Sequence, residues 1–221
     1  MELYDVMRTT FAAREFTDDP VPDSVLQTIL ENARFSPSGG NRQGWRVIVV
    51  RDQATRDALP ALIRPTMQRY VAQVQAGEAP WNTINATALS DEQIAATQVP
   101  DAMIHALTQA PVLLFVFLDL SVVASFDRHL ERVGVISGAS IYPFVWNILL
   151  AARNEGYGGT PTTFAGARED DLKALLGVPE SYAFGAMIPM GKPVKQLTKL
   201  RRNPVESFVS LEQFDGDALG S

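Results

Sequence analysis

Apolar positions recur along this chain at spacings that change from one segment to the next, and the changes mark its elements. Leu3 to Ala12 reads as a short helix. The cluster Asp18-Asp19-Pro20-Val21-Pro22-Asp23 is a turn, after which Asp23 or Ser24 is placed to cap a second helix. That helix carries Val25, Leu26, Ile29, Leu30 and Ala33 on one face and stops before Pro37, which disfavours helical geometry at Ser36. A glycine-bearing loop, Pro37 to Gly44, leads into a β-rich run from Trp45 to Val50. Gln53 to Gln75 is helical in pattern but broken near Pro60 and Pro65, and Gly77 to Ser90 is a surface excursion. Asp91 to Gln109 returns to helix with an interruption around Pro100.

Val112 to Leu118 is apolar throughout and flanked by Pro111 and Asp119, as expected of a central strand. Gly134 to Asn154 predicts a helix apolar on nearly every side, with Pro143 a candidate kink. Such a helix is buried all round, in a core or a subunit interface. Gly156 to Thr163 is a glycine-rich loop, and Asp170 to Leu176 is a short helix closed by Gly177 and Pro179. Ala183 to Met190 is a further apolar strand. Strands interleaved with helices predict an α+β or α/β sandwich. The tail beyond Pro204 is too long to dangle and too short to fold alone, so it is expected to lie on a partner.

Composition narrows the function classes. A chain of 221 residues, 46% hydrophobic and 20% charged, can bury a core without staples. It has no cysteine, which removes disulfides, cysteine zinc sites, iron–sulfur clusters and a thiol nucleophile, and fits a reducing cytoplasm. A net charge of −6 leaves no broad basic face for nucleic acid. The local exception, Lys192 to Arg202, reads by itself as a solvated face. The first residues carry charge throughout, unlike a signal peptide, and the longest apolar run, Pro111 to Leu118, is far short of a membrane span. No membrane partner is expected. His105 and His129 sit apart, without metal spacing, so no metal site is expected. There is no Ser-His-Asp order and no GxGxxG after a strand.

Three stretches carry a more specific signal. Arg14-Glu15-Phe16-Thr17 is followed by Pro20-Val21-Pro22; Pro37-Ser38-Gly39-Gly40-Asn41-Arg42-Gln43-Gly44-Trp45 leads into a strand; and Ala151 to Gly158 runs into Thr160-Pro161-Thr162. Leu175-Leu176-Gly177-Val178-Pro179, Ile188 to Pro193 and Arg201-Arg202-Asn203-Pro204 follow in order. Together these resemble the nitroreductase family of FMN enzymes, over nearly the whole chain except Arg64 to Ala110. The resemblance implies a single domain over 1–221, with a central, mostly antiparallel sheet covered by helices. It also implies an intertwined homodimer with FMN between the subunits. Residues 64–110 would be a variable lid, and 204–221 an extension onto the partner.

The resemblance assigns roles that suit the residue types. Arg14 would lie by the flavin pyrimidine edge and ribityl chain, where a cation favours the reduced anionic ring. Pro37, Ser38, Gly39, Asn41 and Gln43 would form a loop reaching the flavin, glycine allowing close approach and the amides offering hydrogen bonds. Trp45 reads as core instead. Pro161 would shape the loop whose Thr162 and Thr163 backbone N–H groups face N5 and O4. In the family's Arg-Arg-Ser-x-Arg pattern the last arginine is Arg14, and the earlier members fall on Thr10, Phe11 and Ala12. Arg8, Arg201 and Arg202 are therefore the candidate phosphate cations, since the guanidinium fork suits phosphate.

Two functions follow from the resemblance. The first is an FMN-dependent enzyme that takes hydride from NAD(P)H at N5 and passes it, by ping-pong turnover, to a nitroaromatic, quinone or activated alkene. Tyr70, Trp81 and Phe164 would then be candidates for stacking. The second is a flavin-binding or sequestering protein with little turnover, suggested by the replaced arginine pair and serine. Dehalogenation or flavin cleavage on the same fold is a third possibility, needing its own lid.

Overall fold

The computed structural model describes residues 1–220. A four-stranded sheet has the order β1-β2-β4-β3, with β1 at Trp45–Val50, β2 at Val112–Asp119, β3 at Gly158–Gly159 and β4 at Tyr182–Gly191. Every neighbouring pair is antiparallel. Side chains alternate across the fully buried β2 and so build two cores. Val112, Leu114, Val116 and Leu118 face α2 (Asp23–Ala33) and α6 (Tyr142–Asn154), meeting Ile29, Phe144 and Ile148. Leu113, Phe115 and Phe117 face α3 (Gln53–Gln75), α5 (Asp101–Thr108) and α7 (Glu169–Leu176), meeting Leu59, Ile63 and Leu172. The helices α1 (Leu3–Thr9) and α4 (Asp91–Ala96) complete the set. The result is an α+β sandwich with the sheet as its middle layer.

Several expectations needed correction. Helix α3 is not broken: Pro60 and Pro65 both lie inside it. Each proline forgoes one backbone bond, but Leu59, Ile63 and Met67 are fully buried, and tertiary packing outweighs that loss. The predicted Gly134–Asn154 helix begins only at Tyr142, after a 3-10 turn over Ile136–Ser140. Pro143 sits in its first turn, where a missing N–H costs nothing, and does not kink it. Within one chain that helix keeps an open side, where Tyr142 and Trp146 are about half exposed (51% and 43%). Helix α2 has no side-chain cap; Asp23 instead pairs with Arg51 at 2.5 Å. Trp45 does pack on the core, stacked on Phe144 with ring centroids 4.7 Å apart.

Two buried charges organise the periphery. The Arg56 guanidinium donates to the carbonyls of Val50, Thr108, Ala110 and Pro111, tying the end of β1 and of α5 to the start of β2. Asp127, 4% exposed, gathers the Val135 amide at 2.7 Å, Arg132 at 2.8 Å, the Ser125 hydroxyl and the Ile136 amide. The amide of Val135 first, then Arg132, holds its carboxyl well below the usual carboxylate range. This folds the segment between β2 and α6 while leaving Phe126, Val133 and Val135 largely exposed. The tail closes on itself through a bridge between Ser210 and Ala218 and presents Phe208 and Phe214 to solvent. Among the described residues no helix is long and apolar enough to cross a membrane.

Candidate functional site

The site forms where the chain leaves β3. Ala12 and Ala13 pair with Gly159, which fixes the entry of Arg14 beside the segment that follows β3. Glycine is required there, because a Cβ on Gly159 would lie 2.7 Å from the Pro189 carbonyl. Thr162 then makes a two-way backbone pair with Met187 of β4, 2.8 and 2.9 Å long. These contacts bring Arg14 and Thr160 to Phe164 onto one cleft of about 530 Å³, walled across by Thr66, Tyr70, Pro80 and Trp81. Tyr70 meets Phe164 edge-on at 5.4 Å. All three aromatics singled out in the sequence therefore line one cavity.

The Thr162 and Thr163 amides do not share a role. The Thr162 N–H is committed to the Met187 carbonyl, so it cannot face a ligand as the sequence suggested. The Thr163 N–H has no acceptor among the described residues, and Thr163 is exposed on the cleft. What Thr162 offers is its hydroxyl, which is buried without any hydrogen-bond partner. Sequence reasoning missed that atom, because only the pairing with β4 turns the side chain into the wall. Arg14 is similarly uncommitted, with one long 3.3 Å bond to the Ala12 carbonyl.

The loop from Pro37 to Gln43 lies elsewhere. None of Pro37, Ser38, Gly39, Asn41 and Gln43 lines the Arg14 cleft. The loop precedes β1, one edge of the sheet, whereas the cleft adjoins β3, the other edge. Three inter-strand gaps separate those edges, about 14 Å at roughly 4.8 Å each. The loop is tightly wound: the Ser38 hydroxyl accepts from the Gln43 amide at 2.9 Å, and the Gln43 side chain donates to Asn41 at 3.1 Å. Its left-handed residues are Gly40, Asn41 and Gln43, not Gly39. Holding Gln43 at φ 51° costs on the order of 1 kcal/mol, a strain that concentrates at functional loops.

The cations expected at a phosphate do not converge on the cleft within one chain. Arg8 is exposed beside the Tyr4 ring, and Arg201 and Arg202 lie exposed beyond β4. Thr10, the one hydroxyl at the replaced arginine–serine positions, is buried and donates to the Val6 carbonyl at 2.7 Å. Arg153 on α6, which the sequence did not single out, reaches α1 through Thr9 at 3.0 Å. No group of three or more His, Asp or Glu side chains could hold a metal among the described residues.

Comparison with known proteins fits this architecture. The model of the nitroreductase family matches residues 7–192, and the chain belongs to that family. It is 29% identical over 201 residues to an NADH dehydrogenase of Thermus thermophilus, covering 89% of each chain. It is 26% identical over 203 residues to an iodotyrosine deiodinase of Thermotoga neapolitana, covering 92% of this chain and 95% of that one. The crystal structure of oxidized iodotyrosine deiodinase bound to FMN and 3-iodo-L-tyrosine aligns with a TM-score of 0.69 at 23% identity, covering 96% of this chain and 100% of that one. The shared fold is therefore that of nitroreductases and deiodinases alike.

Proposed function

We propose that this chain is an FMN-dependent oxidoreductase passing electrons from NAD(P)H to a nitroaromatic, quinone or activated alkene, as a homodimer whose clefts are completed across the interface. The observation that carries this is the meeting of Arg14, the free Thr163 amide and the unpartnered Thr162 hydroxyl in one aromatic-walled cleft. A buried hydroxyl without a partner is uncommon in a finished wall. Bound FMN would supply the two-electron chemistry. Arg14 would place positive charge by its pyrimidine edge, and Thr163 would donate its amide to the ring. Tyr70, Trp81 and Phe164 would exclude water from the exposed face.

A second copy of the chain would supply the rest. The Pro37–Gln43 loop does not line the cleft of its own chain, so it would serve the partner's. The half-exposed Tyr142 and Trp146 of α6, with Phe208 and Phe214 of the tail, are the apolar surface such an interface would cover. In a dimer, the tail from Pro204 would extend onto the partner, and Arg8, Arg201 and Arg202 would hold the phosphate.

The test is direct. The purified protein, loaded with FMN, is expected to absorb near ~450 nm and to bleach within seconds when NADPH or NADH is added without oxygen. A yellow protein that neither donor bleaches would favour flavin sequestration. A colourless protein that cannot be loaded would contradict both readings.

A further inference from the structure

Trp81 is held in a way that core packing does not require. Its backbone sits at φ 52°, a left-handed conformation that bulky residues rarely adopt. Three contacts impose it. The Trp81 amide donates to the Gln73 side chain at 3.0 Å, its indole Nε1 donates to the Thr66 carbonyl at 3.3 Å, and the Arg69 guanidinium lies 4.4 Å from the ring centre. Gln73 is itself 2% exposed and donates to Glu78. Glu78 closes the loop by accepting from the Thr87 hydroxyl and the Ala88 amide, and these bonds, Thr87 first, hold its carboxyl below the usual range. Yet Trp81 so fixed remains 40% exposed and lines the cleft. Backbone strain and a network spent on orienting a half-open ring point to a ring that binds something.

The charge on the cleft wall itself has one sign. Among the described residues no carboxylate lines the cleft, and Arg14 is the only charged side chain that does. Arg69 adds a second positive charge against the Trp81 ring, and its Nε is buried without a partner. The carboxylate nearest in the chain, Glu78, stays ionised under its hydrogen bonds from Thr87, Ala88 and Gln73 and within reach of Arg69, but it does not line the cleft. Thr66, one helical turn before Arg69 on α3, also has an unpartnered hydroxyl in the cleft wall. A flat ligand against Trp81 therefore meets Arg14 on the cleft wall and Arg69 behind the ring, and no carboxylate on that wall.

We propose that Trp81, backed by Arg69, is the plate on which the electron acceptor stacks, and that it selects flat aromatic acceptors that are anionic or neutral over cationic ones. The proposal rests on the function proposed above, with the electron donor and acceptor using one cleft. It makes Arg69 a positioning residue, acting through the indole, and Trp81 the residue in contact with substrate.

A redox-inert charge series separates this from the flavin chemistry. The probes share one ring: 1-naphthoate, 1-naphthamide and 1-naphthyltrimethylammonium, titrated into the FMN-treated protein by calorimetry. The wild type is expected to bind naphthoate at least fivefold more tightly than the ammonium probe. Arg69→Gln should narrow the series at least twofold, Arg14 keeping the remainder, while leaving the amide within about twofold. Trp81→Ala should weaken all three by at least fivefold, and Trp81→Phe should keep the order with a smaller loss. A flat series in the wild type would overturn the charge selection. Unchanged binding by Trp81→Ala would overturn the plate. Flavin absorbance of the same samples reports the functional reading separately: protein without bound FMN that still gives the ordered series would sink the flavin reading and leave the plate standing.

Discussion

Replacing Arg14 with alanine is expected to weaken FMN binding by about ten- to a hundredfold, the equivalent of roughly 1.5–3 kcal/mol for a lost hydrogen bond to a charged group. The magnitude is large because, among the described residues, Arg14 is the only charged side chain that lines the cleft. The fold should hardly notice, since the guanidinium makes only one long bond to its own chain. Arg14→Lys keeps the charge but loses the planar fork, and should fall between the two. Titrating flavin-free protein with FMN checks the affinity, and stopped-flow bleaching checks the reduction rate. If both are unchanged in Arg14→Ala, Arg14 is not in the site.

The largest expected effect on stability lies away from the cleft, at Arg56. Its guanidinium satisfies the carbonyls of Val50, Thr108, Ala110 and Pro111, from two separate parts of the chain. Arg56→Met keeps the aliphatic stem but leaves those buried acceptors without donors. The loss should be about 3 kcal/mol, within the range for breaking a buried charged network. For a chain of this size that corresponds to a fall in Tm of about 6–12 °C. Thermal denaturation followed by circular dichroism measures it, and FMN bound per folded molecule should stay unchanged. A drop under about 2 °C would mean that water, not Arg56, satisfies those carbonyls.

The sequence revealed most of the architecture because the signals were local. The uninterrupted apolar run at Val112–Leu118 could only be a central strand, and Gly177 closes α7 at φ 65° as its position demands. Where the reading failed, distant parts of the chain decided the outcome. Pro60 and Pro65 look like breaks until the burial of Leu59, Ile63 and Met67 is known. Pro143 looks like a kink until the helix start is seen to lie beside it. In the site, Arg14 and the Thr160–Phe164 segment were legible from motif order, and the structure brings them together. The loss of the Thr162 amide to Met187, and the gain of the Thr162 hydroxyl, depend on a strand pairing that no local pattern encodes. The same holds for Trp81: its aromatic character was visible, but the Gln73–Glu78 clasp that orients it was not.

The measurement closest to the central claim is a crystal structure of the protein grown with excess FMN. The account predicts the isoalloxazine in the cleft of Arg14, Thr162 and Thr163, with the Pro37–Gln43 loop of a second copy laid against the same ring. A cleft filled by packed side chains, or a flavin held wholly within one chain, would contradict it.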